Sequence, residues 1–204
     1  MKSSAVVIRE LKAGNARFCR GQSLHSPLVS LEKMQTGAQK GQVPKAIVLC
    51  CSDSRAPVEI VLDQDVGDLF VIRVAGNIVD PSLIGSIEFA VDTFGTTTIL
   101  VLGHTQCGAI RATLDHIANK RIEASDNIHD LISRIRPHVW TIAHQRGLTR
   151  HQKIDRAVHA NVNASVWQLS HSSPLIKKLV VKHKLKIFGA ILDLSTGKVH
   201  FDKL

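Results

Sequence analysis

Tyrosine is absent from this 204-residue chain, aromatic residues make up only 4% of it, and there are two methionines. With so little flat aromatic surface, stacking on nucleic-acid bases has scant material. That matters because a formal charge of +9 and a pI near 9.7 would otherwise raise phosphate backbones as partners. The basic residues are scattered, and their densest group, Lys177, Lys178, Lys182, Lys184 and Lys186, reads as a solvated face. No nucleic-acid partner is expected, although a positive surface still draws small anions. Long apolar runs are missing too: no stretch of about 18 residues exists to cross a bilayer, so no membrane partner is expected. The opening Met1-Lys2-Ser3-Ser4, with Val6, Val7 and Ile8 before Arg9-Glu10, is too short and too soon charged for a secretory leader. The four cysteines, Cys19, Cys50, Cys51 and Cys107, lack the paired spacing of a disulfide framework. A reducing, cytoplasmic location is the expectation.

What is present is enough apolar material, 44% of residues, to bury one core, so residues 1–204 read as a single domain. Val7, Leu11 and Phe18 fall at helical spacing between about Ser4 and Arg20, whereas Gln22 to Pro44 is polar and irregular, with Gly37 and Gly41 as breakers. The pattern then changes. Ala46 to Cys50, Leu69 to Arg73 and Thr98 to Gly103 are short apolar runs of the kind that strands buried on both faces show. Pro57 with Glu59 marks a helix start, and Leu83, Ile87, Val91 and Phe94 form a helical stripe closed by Gly95. After Gly108 the chain reads mostly helical to about Lys184. One stripe is Ile128, Leu131, Ile135, Val139 and Ile142, interrupted by Pro137, and another is Ile154, Val158, Val162 and Leu169. Lys186 to Leu194 resembles a further strand, and Ser195 to Lys198 a turn before Val199-His200-Phe201. Alternating strands and helices predict an α/β fold with a mainly parallel central sheet flanked by helices.

Cys51, His104 and Cys107 are the candidate metal ligands. Cys51 follows the first buried strand and His104 the third, and parallel strands gather functional groups at their carboxyl edge, so two loops distant in sequence can meet there. Two thiolates and an imidazole suit zinc, and three protein ligands leave its fourth tetrahedral position open, as in a catalytic site. Cys107 precedes a probable helix through Ile110, Ala112 and Leu114, whose positive end would favour a thiolate. Asp53 and Arg55 beside Cys51 read either as part of the site or as a surface ion pair worth roughly 0 to 1 kcal/mol. Cys19 and Cys50 are expected to be small buried hydrophobes. Cys50 also precedes Arg55 by five positions, the spacing of a sulfurtransferase loop. Such loops cradle an anion on close backbone amides and usually need glycine, yet none lies between the two, and Asp53 would repel the anion.

Cys51-Ser52-Asp53-Ser54-Arg55 and His104-Thr105-Gln106-Cys107-Gly108 resemble the two signatures of the β-class carbonic anhydrases. The likeness extends through Gly14 to Phe18, Gly41 to Pro44, Gly67 to Arg73, Ala75-Gly76-Asn77 and Ser86 to Ala90, and reaches Gly189-Ala190 and Asp193. The resemblance implies a β-carbonic-anhydrase-like domain with an N-terminal helical arm over about residues 1–43. It implies one Zn2+ per subunit held by Cys51, His104 and Cys107, with Asp53 and Arg55 as a catalytic pair. Arg55 would hold Asp53 off the metal, and Asp53 would orient zinc-bound hydroxide for attack on carbon dioxide to give bicarbonate. Phe70, Ala75 and Phe89 would form an apolar substrate lining with Gln42 as donor. In the family part of that lining comes from a neighbouring subunit, so the resemblance implies self-association as a dimer or tetramer. Alternatives that keep the fold are an inactive or structural zinc-binding relative, and a hydrolase of carbon disulfide or carbonyl sulfide.

Some positions depart from the family's pattern. Phe89 stands where some relatives carry tyrosine, and Val74 where many have asparagine. One branch has an allosteric bicarbonate pocket built on a tryptophan and a tyrosine. The matching positions here are Val48 and Leu192, beside a retained Arg73, so no such switch is expected and Arg73 should be structural. His25, His116 and His129 are among the histidines that could shuttle protons.

Overall fold

The computed structural model describes residues 2–25, 31–119 and 125–202, so residue 1 and residues 26–30 of the expected arm lie outside it. Five strands form one sheet in the order β2-β1-β3-β4-β5. They are β1 (Ala46–Cys50), β2 (Leu69–Arg73), β3 (Thr98–His104), β4 (Lys186–Leu192) and β5 (Val199–Phe201). The first four are parallel, and β5 returns antiparallel at the edge, as a short turn from Leu192 to Val199 allows. Every residue of β1 and of β3 is buried, which explains their unbroken apolar runs.

Helices cover both faces. Alternate residues of the central strands send Val48, Cys50, Leu100 and Leu102 to one side, against α1 (Ser4–Cys19) and the single turn α3 (Val58–Val61). Ile47, Leu49, Ile99 and Val101 face the other side. There the core is closed by α4 (Pro81–Phe94), α5 (Gly108–Ile117), α6 (Asp126–His144), α7 (Arg150–His171) and α8 (Pro174–Val181). α4 begins at Asp80, whose carboxylate accepts from the Ser82 amide, with Pro81 in the first turn, and ends at Gly95. α7 starts with a reciprocal capping box between Thr149 and Gln152. Gly103 permits the closest pass of α7 on the sheet, since a Cβ there would meet Val162 Cγ2 at 2.5 Å.

Three sequence expectations change. The stretch from Gln22 to Pro44 holds a helix, α2 (Leu31–Lys40), none of whose residues is buried. Its only apolar residues, Leu31, Met34 and Ala38, form a short stripe that packs on nothing among the described residues, and the rest are mostly good helix formers, with Lys33 bonding Asp65 at 2.8 Å. α6 runs straight through Pro137, because the carbonyl that the proline leaves unbonded, that of Ser133, belongs to an exposed residue. Cys19 is exposed rather than buried, since it sits at the last turn of α1, past the stripe of Val7, Ile8 and Leu11.

Asn15 ties α1 to two other elements. Its Nδ2 donates to the carbonyls of Val61 at 3.0 Å and Gly197 at 2.8 Å, and its Oδ1 accepts from the Val199 amide at 2.8 Å. Asn15→Ala would leave buried backbone groups unpaired, each costing on the order of 1 to 3 kcal/mol. The variant should lose about 3 kcal/mol of stability by urea denaturation; a loss below about 0.5 kcal/mol would remove Asn15 as the staple.

Candidate metal centre

Strand order places β1 between β2 and β3, so the chain leaves β1 towards one side and returns on the other. That reversal opens a crevice at the carboxyl ends of β1 and β3. Cys51 is the first residue after β1, and His104 the last of β3. Cys107 lies at the N-cap of α5, after a turn in which Gln106 takes φ +56°. The Thr105 amide donates to the Leu192 carbonyl at 2.9 Å and the Leu194 amide to Thr105 Oγ1 at 3.1 Å, so β4 fixes this turn.

The donor atoms of Cys51, His104 and Cys107, all three buried, lie within 4.8 Å of one another. The two sulfurs are 3.9 Å apart. Metal–sulfur bonds of about 2.3 Å at a tetrahedral angle would separate them by about 3.8 Å, so the pair fits a zinc ion without rearrangement. His104 Nδ1 bonds the Thr105 carbonyl at 2.9 Å, which puts the proton on that nitrogen and leaves the Nε2 lone pair free. Nε2 is buried and has no hydrogen-bond partner among the described residues, as expected of an imidazole that a metal completes.

Electrostatics within the cluster run opposite to the sequence expectation for Cys107. The Cys107 thiol and, after it, the His104 imidazole and the Gly76 amide at 3.3 Å outweigh burial and lower Cys51. The neighbouring Cys51 sulfur and burial push Cys107 up, although the amides of Ile110 and Ala109 at the head of α5 pull the other way. The helix terminus favours a thiolate as anticipated, but a like charge at 3.9 Å is stronger. Without a cation the two sulfurs share one proton.

Asp53 and Arg55 do form a bidentate pair. Arg55 Nε donates to Asp53 Oδ1 at 2.9 Å and Nη2 to Oδ2 at 2.7 Å, while the Arg55 amide also reaches Oδ1 at 3.0 Å. The guanidinium holds the Asp53 carboxyl well below the usual carboxylate range. Asp53 Oδ2 stands 3.8 Å from His104 Nε2, at the mouth of the cluster but beyond hydrogen-bond reach of the ring. Arg73 Nη2 donates to the Asp53 carbonyl at 2.7 Å, joining the end of β2 to this loop. Val48 and Leu192 are buried core residues.

The remaining expected site residues are dispersed. Ala75 adjoins Gly76, next to Cys51. Phe70 pairs with Ile47, four residues before Cys51 and so about 13 Å back along the strand at roughly 3.3 Å per residue. It lies on the edge strand β2, its ring centroid 6.4 Å from that of Phe89 on α4, and Phe89 is 54% exposed. Gln42 is exposed between α2 and β1. Of the histidines, His116 and His129 stack edge to face at 5.3 Å, and His25 lies 3.5 Å from Asp65. Cys50 points into the core, where burial pushes its thiol up to about 12, the state of an inert hydrophobe rather than a nucleophile.

Residues 46–199 match a family model described as carbonic anhydrase. The chain belongs to that family. It is 37% identical over 191 residues to a carbonic anhydrase of Mycolicibacterium smegmatis, covering 94% of this chain and 89% of the relative. It is 35% identical over 190 residues to carbonic anhydrase 2 of Mycobacterium tuberculosis, covering 93% and 88%. The solved structure of the beta-carbonic anhydrase CcaA superposes with a TM-score of 0.76 at 26% identity, covering 97% of this chain and 95% of that one. Membership of the β class agrees with the mainly parallel sheet and with the Cys-His-Cys group at its switch point.

Within this carbonic anhydrase, reading the sequence missed the backbone donor Gly76 and the residues of α7 that hold it, Asn161 and Ser165. The available signal was two polar residues on the same helical stripe as Val158, Val162 and Leu169. A dication should displace the proton that the two sulfurs share. Zinc titrated into metal-free protein at pH 7 should therefore release about one proton from this pair, read by calorimetry in buffers of different ionisation enthalpy. A release of no protons would contradict the electrostatics described.

Proposed function

We propose that the protein is a zinc-dependent carbonate dehydratase that interconverts carbon dioxide and bicarbonate. The observation that carries this reading is the buried Cys51, His104 and Cys107 donor set with an arginine-clamped carboxylate, Asp53 Oδ2, 3.8 Å from the free imidazole nitrogen. Zinc bound to the three donors supplies a nucleophile at neutral pH by lowering the pKa of water to roughly 7, a figure that comes from a three-histidine carbonic anhydrase site.

The residues divide the rest of the work. Cys51 and Cys107 as thiolates and His104 as neutral imidazole balance the charge of the ion. Arg55 occupies one lone pair on each Asp53 oxygen and keeps the carboxylate from competing for the open position. Asp53 Oδ2 keeps a second lone pair, with which it accepts the hydrogen of the attacking oxygen and turns that oxygen's lone pair towards the carbon. A site that only stabilised folding would need neither Asp53 nor Arg55. Carbon dioxide has no net charge and no dipole, which suits the apolar Ala75 beside the centre. Phe70, Phe89 and Gln42 are set apart from the cluster within one chain, and we assign them to the lining of the site of a second copy. The unburied helix α2 and the exposed Leu31, Met34 and Phe89 support that assembly. Tetrameric β-carbonic anhydrases from Sordaria macrospora share this fold. No helix of the described residues is long and apolar enough to cross a membrane. Two ligand thiols this close would oxidise together readily, so the reading places the protein in a reducing compartment, the cytoplasm.

Stopped-flow hydration of carbon dioxide tests the assignment. Zinc-loaded wild type should catalyse, Cys51→Ser should lose metal, and Asp53→Ala should keep metal and lose about a hundredfold in kcat. If wild type runs at the uncatalysed rate, the proposal fails. The rate should rise with pH, because two thiolates donate more charge to the ion than imidazoles would and leave the nucleophile less acidic. Asp53 stays ionised far below neutrality, so a fall in rate towards acid reports the nucleophile and not this carboxylate. Sedimentation equilibrium should give a dimer or larger species; a monomer at micromolar concentration would rule out the shared lining.

A further inference from the structure

The turn that follows β2 is backbone held in a sparsely populated conformation. Gly76 takes φ +73° and Asn77 φ +43°, two consecutive residues in the left-handed region, which glycine enters freely and asparagine more readily than other side chains. A Cβ on Gly76 would come within 2.7 Å of Ile135 Cδ1 and 3.1 Å of Ala109 Cβ, so α5 and α6 press on the turn. On the other flank lies α7. Asn161 Nδ2 donates to the Gly76 carbonyl at 2.8 Å, and Ser165 Oγ lies 3.0 Å from both the Asn77 carbonyl and the Asn161 carbonyl, so its one hydrogen is shared between the turn and its own helix. Asn161 and Ser165 are each 1% exposed. Polar groups so deep in a helix interface are retained at a cost unless they are paired, and here both find partners among the carbonyls of this turn.

The outcome of that clamp is the direction of one amide. With the turn held in this shape, the Gly76 N–H points at Cys51 Sγ, 3.3 Å away. A hydrogen bond from an amide to a thiolate withdraws charge from the sulfur, so it bears on how strongly that sulfur binds a cation and how much charge it passes to it.

We propose that Asn161 and Ser165 are positioning residues for the metal centre, fixing the Gly76–Asn77 turn so that the Gly76 amide hydrogen-bonds the Cys51 sulfur. The proposal rests on the reading of Cys51, His104 and Cys107 as a zinc site. The helix α7 thereby acts on the centre through a backbone it grips, without contributing a ligand. Because the grip is on carbonyls, it depends on donor groups at positions 161 and 165 and not on their bulk.

The test uses the full chain in four forms: wild type, Asn161→Leu, Ser165→Ala and Ser165→Thr. Zinc affinity is measured by competition with a chelator at fixed pH. The cobalt(II)-substituted protein reports sulfur donation through its thiolate-to-metal absorption. In the 113Cd-substituted wild type, the Gly76 amide proton should show scalar coupling to the metal across the N–H···S bond. Asn161→Leu should weaken zinc binding about tenfold to a hundredfold, the range expected for partners of a ligand, shift the cobalt absorption and abolish the coupling. Ser165→Ala should do the same to a smaller degree, and Ser165→Thr, which keeps the hydroxyl, should restore wild-type values. If Asn161→Leu does not fold, the two Ser165 variants decide the matter. Wild-type affinity, absorption and coupling in Asn161→Leu or, failing that, in Ser165→Ala would overturn the proposal while leaving the zinc reading intact. A wild type that binds neither zinc nor cobalt would overturn both.

Discussion

Two sulfurs 3.9 Å apart in a buried pocket cannot both carry a negative charge unless something positive lies between them. Much else in the molecule is arranged around that constraint. With protons alone, the two sulfurs titrate as one unit, each altering the ionisation of the other. A dication makes both charges favourable at once, and the neutral imidazole of His104 adds a donor without adding charge. The spacing already suits such an ion, so binding need not deform the sheet, and the free energy of association is not spent on moving strands.

Rigid elements supply that spacing. Cys51 and His104 are anchored at the ends of two central strands buried along their whole length, and Cys107 at the head of a helix packed on one face of the sheet. The loops between strand and ligand are short, and each is tied sideways. The Val74 amide donates to the Cys50 carbonyl at 3.1 Å, which extends the β1–β2 pairing, and the Thr105 turn hangs from β4. Placing ligands on strand ends and helix termini rather than on long loops is what keeps a three-point geometry to within a few tenths of an ångström.

The charged residues around the mouth have a different task from those inside. Arg55 and Arg73 both act on Asp53, one on the carboxylate and one on the main-chain carbonyl. Arg55 is itself 54% exposed, so the pair adds little to folding stability. In the function proposed above its contribution is orientational: it would keep an ionised carboxylate aimed at the open side of the cluster and off the metal. The aromatic cluster of Phe89, which is exposed, with the half-buried Phe70 and Phe94 is a second unfinished feature. It belongs to the surface of one chain and to the interior of the assembly proposed for it.

Local patterns in the sequence were enough to identify the strands, because β1, β2 and β3 are short apolar runs with no competing helical period. They also singled out the candidate ligands, which the fold brings together, since cysteine and histidine at the ends of buried strands are chemically conspicuous. The helix α2 was illegible because its stripe is only three residues long and is interrupted by Gly37, and Pro137 suggested a break that the exposure of Ser133, its would-be partner, makes unnecessary. How charge is distributed over the two cysteines could not be read from the helix that follows Cys107; it depends on a sulfur 56 positions away in the chain. The same holds for Asn161 and Ser165, whose importance lies in carbonyls 85 and 88 residues distant. The sequence by itself determined which chemistry is available, because ligand identity and strand-end placement are local properties. Only the tertiary structure decided how charge is shared among those ligands and what holds their amide donor in place, because electrostatic and hydrogen-bonding terms depend on through-space distance, which the order of residues does not contain.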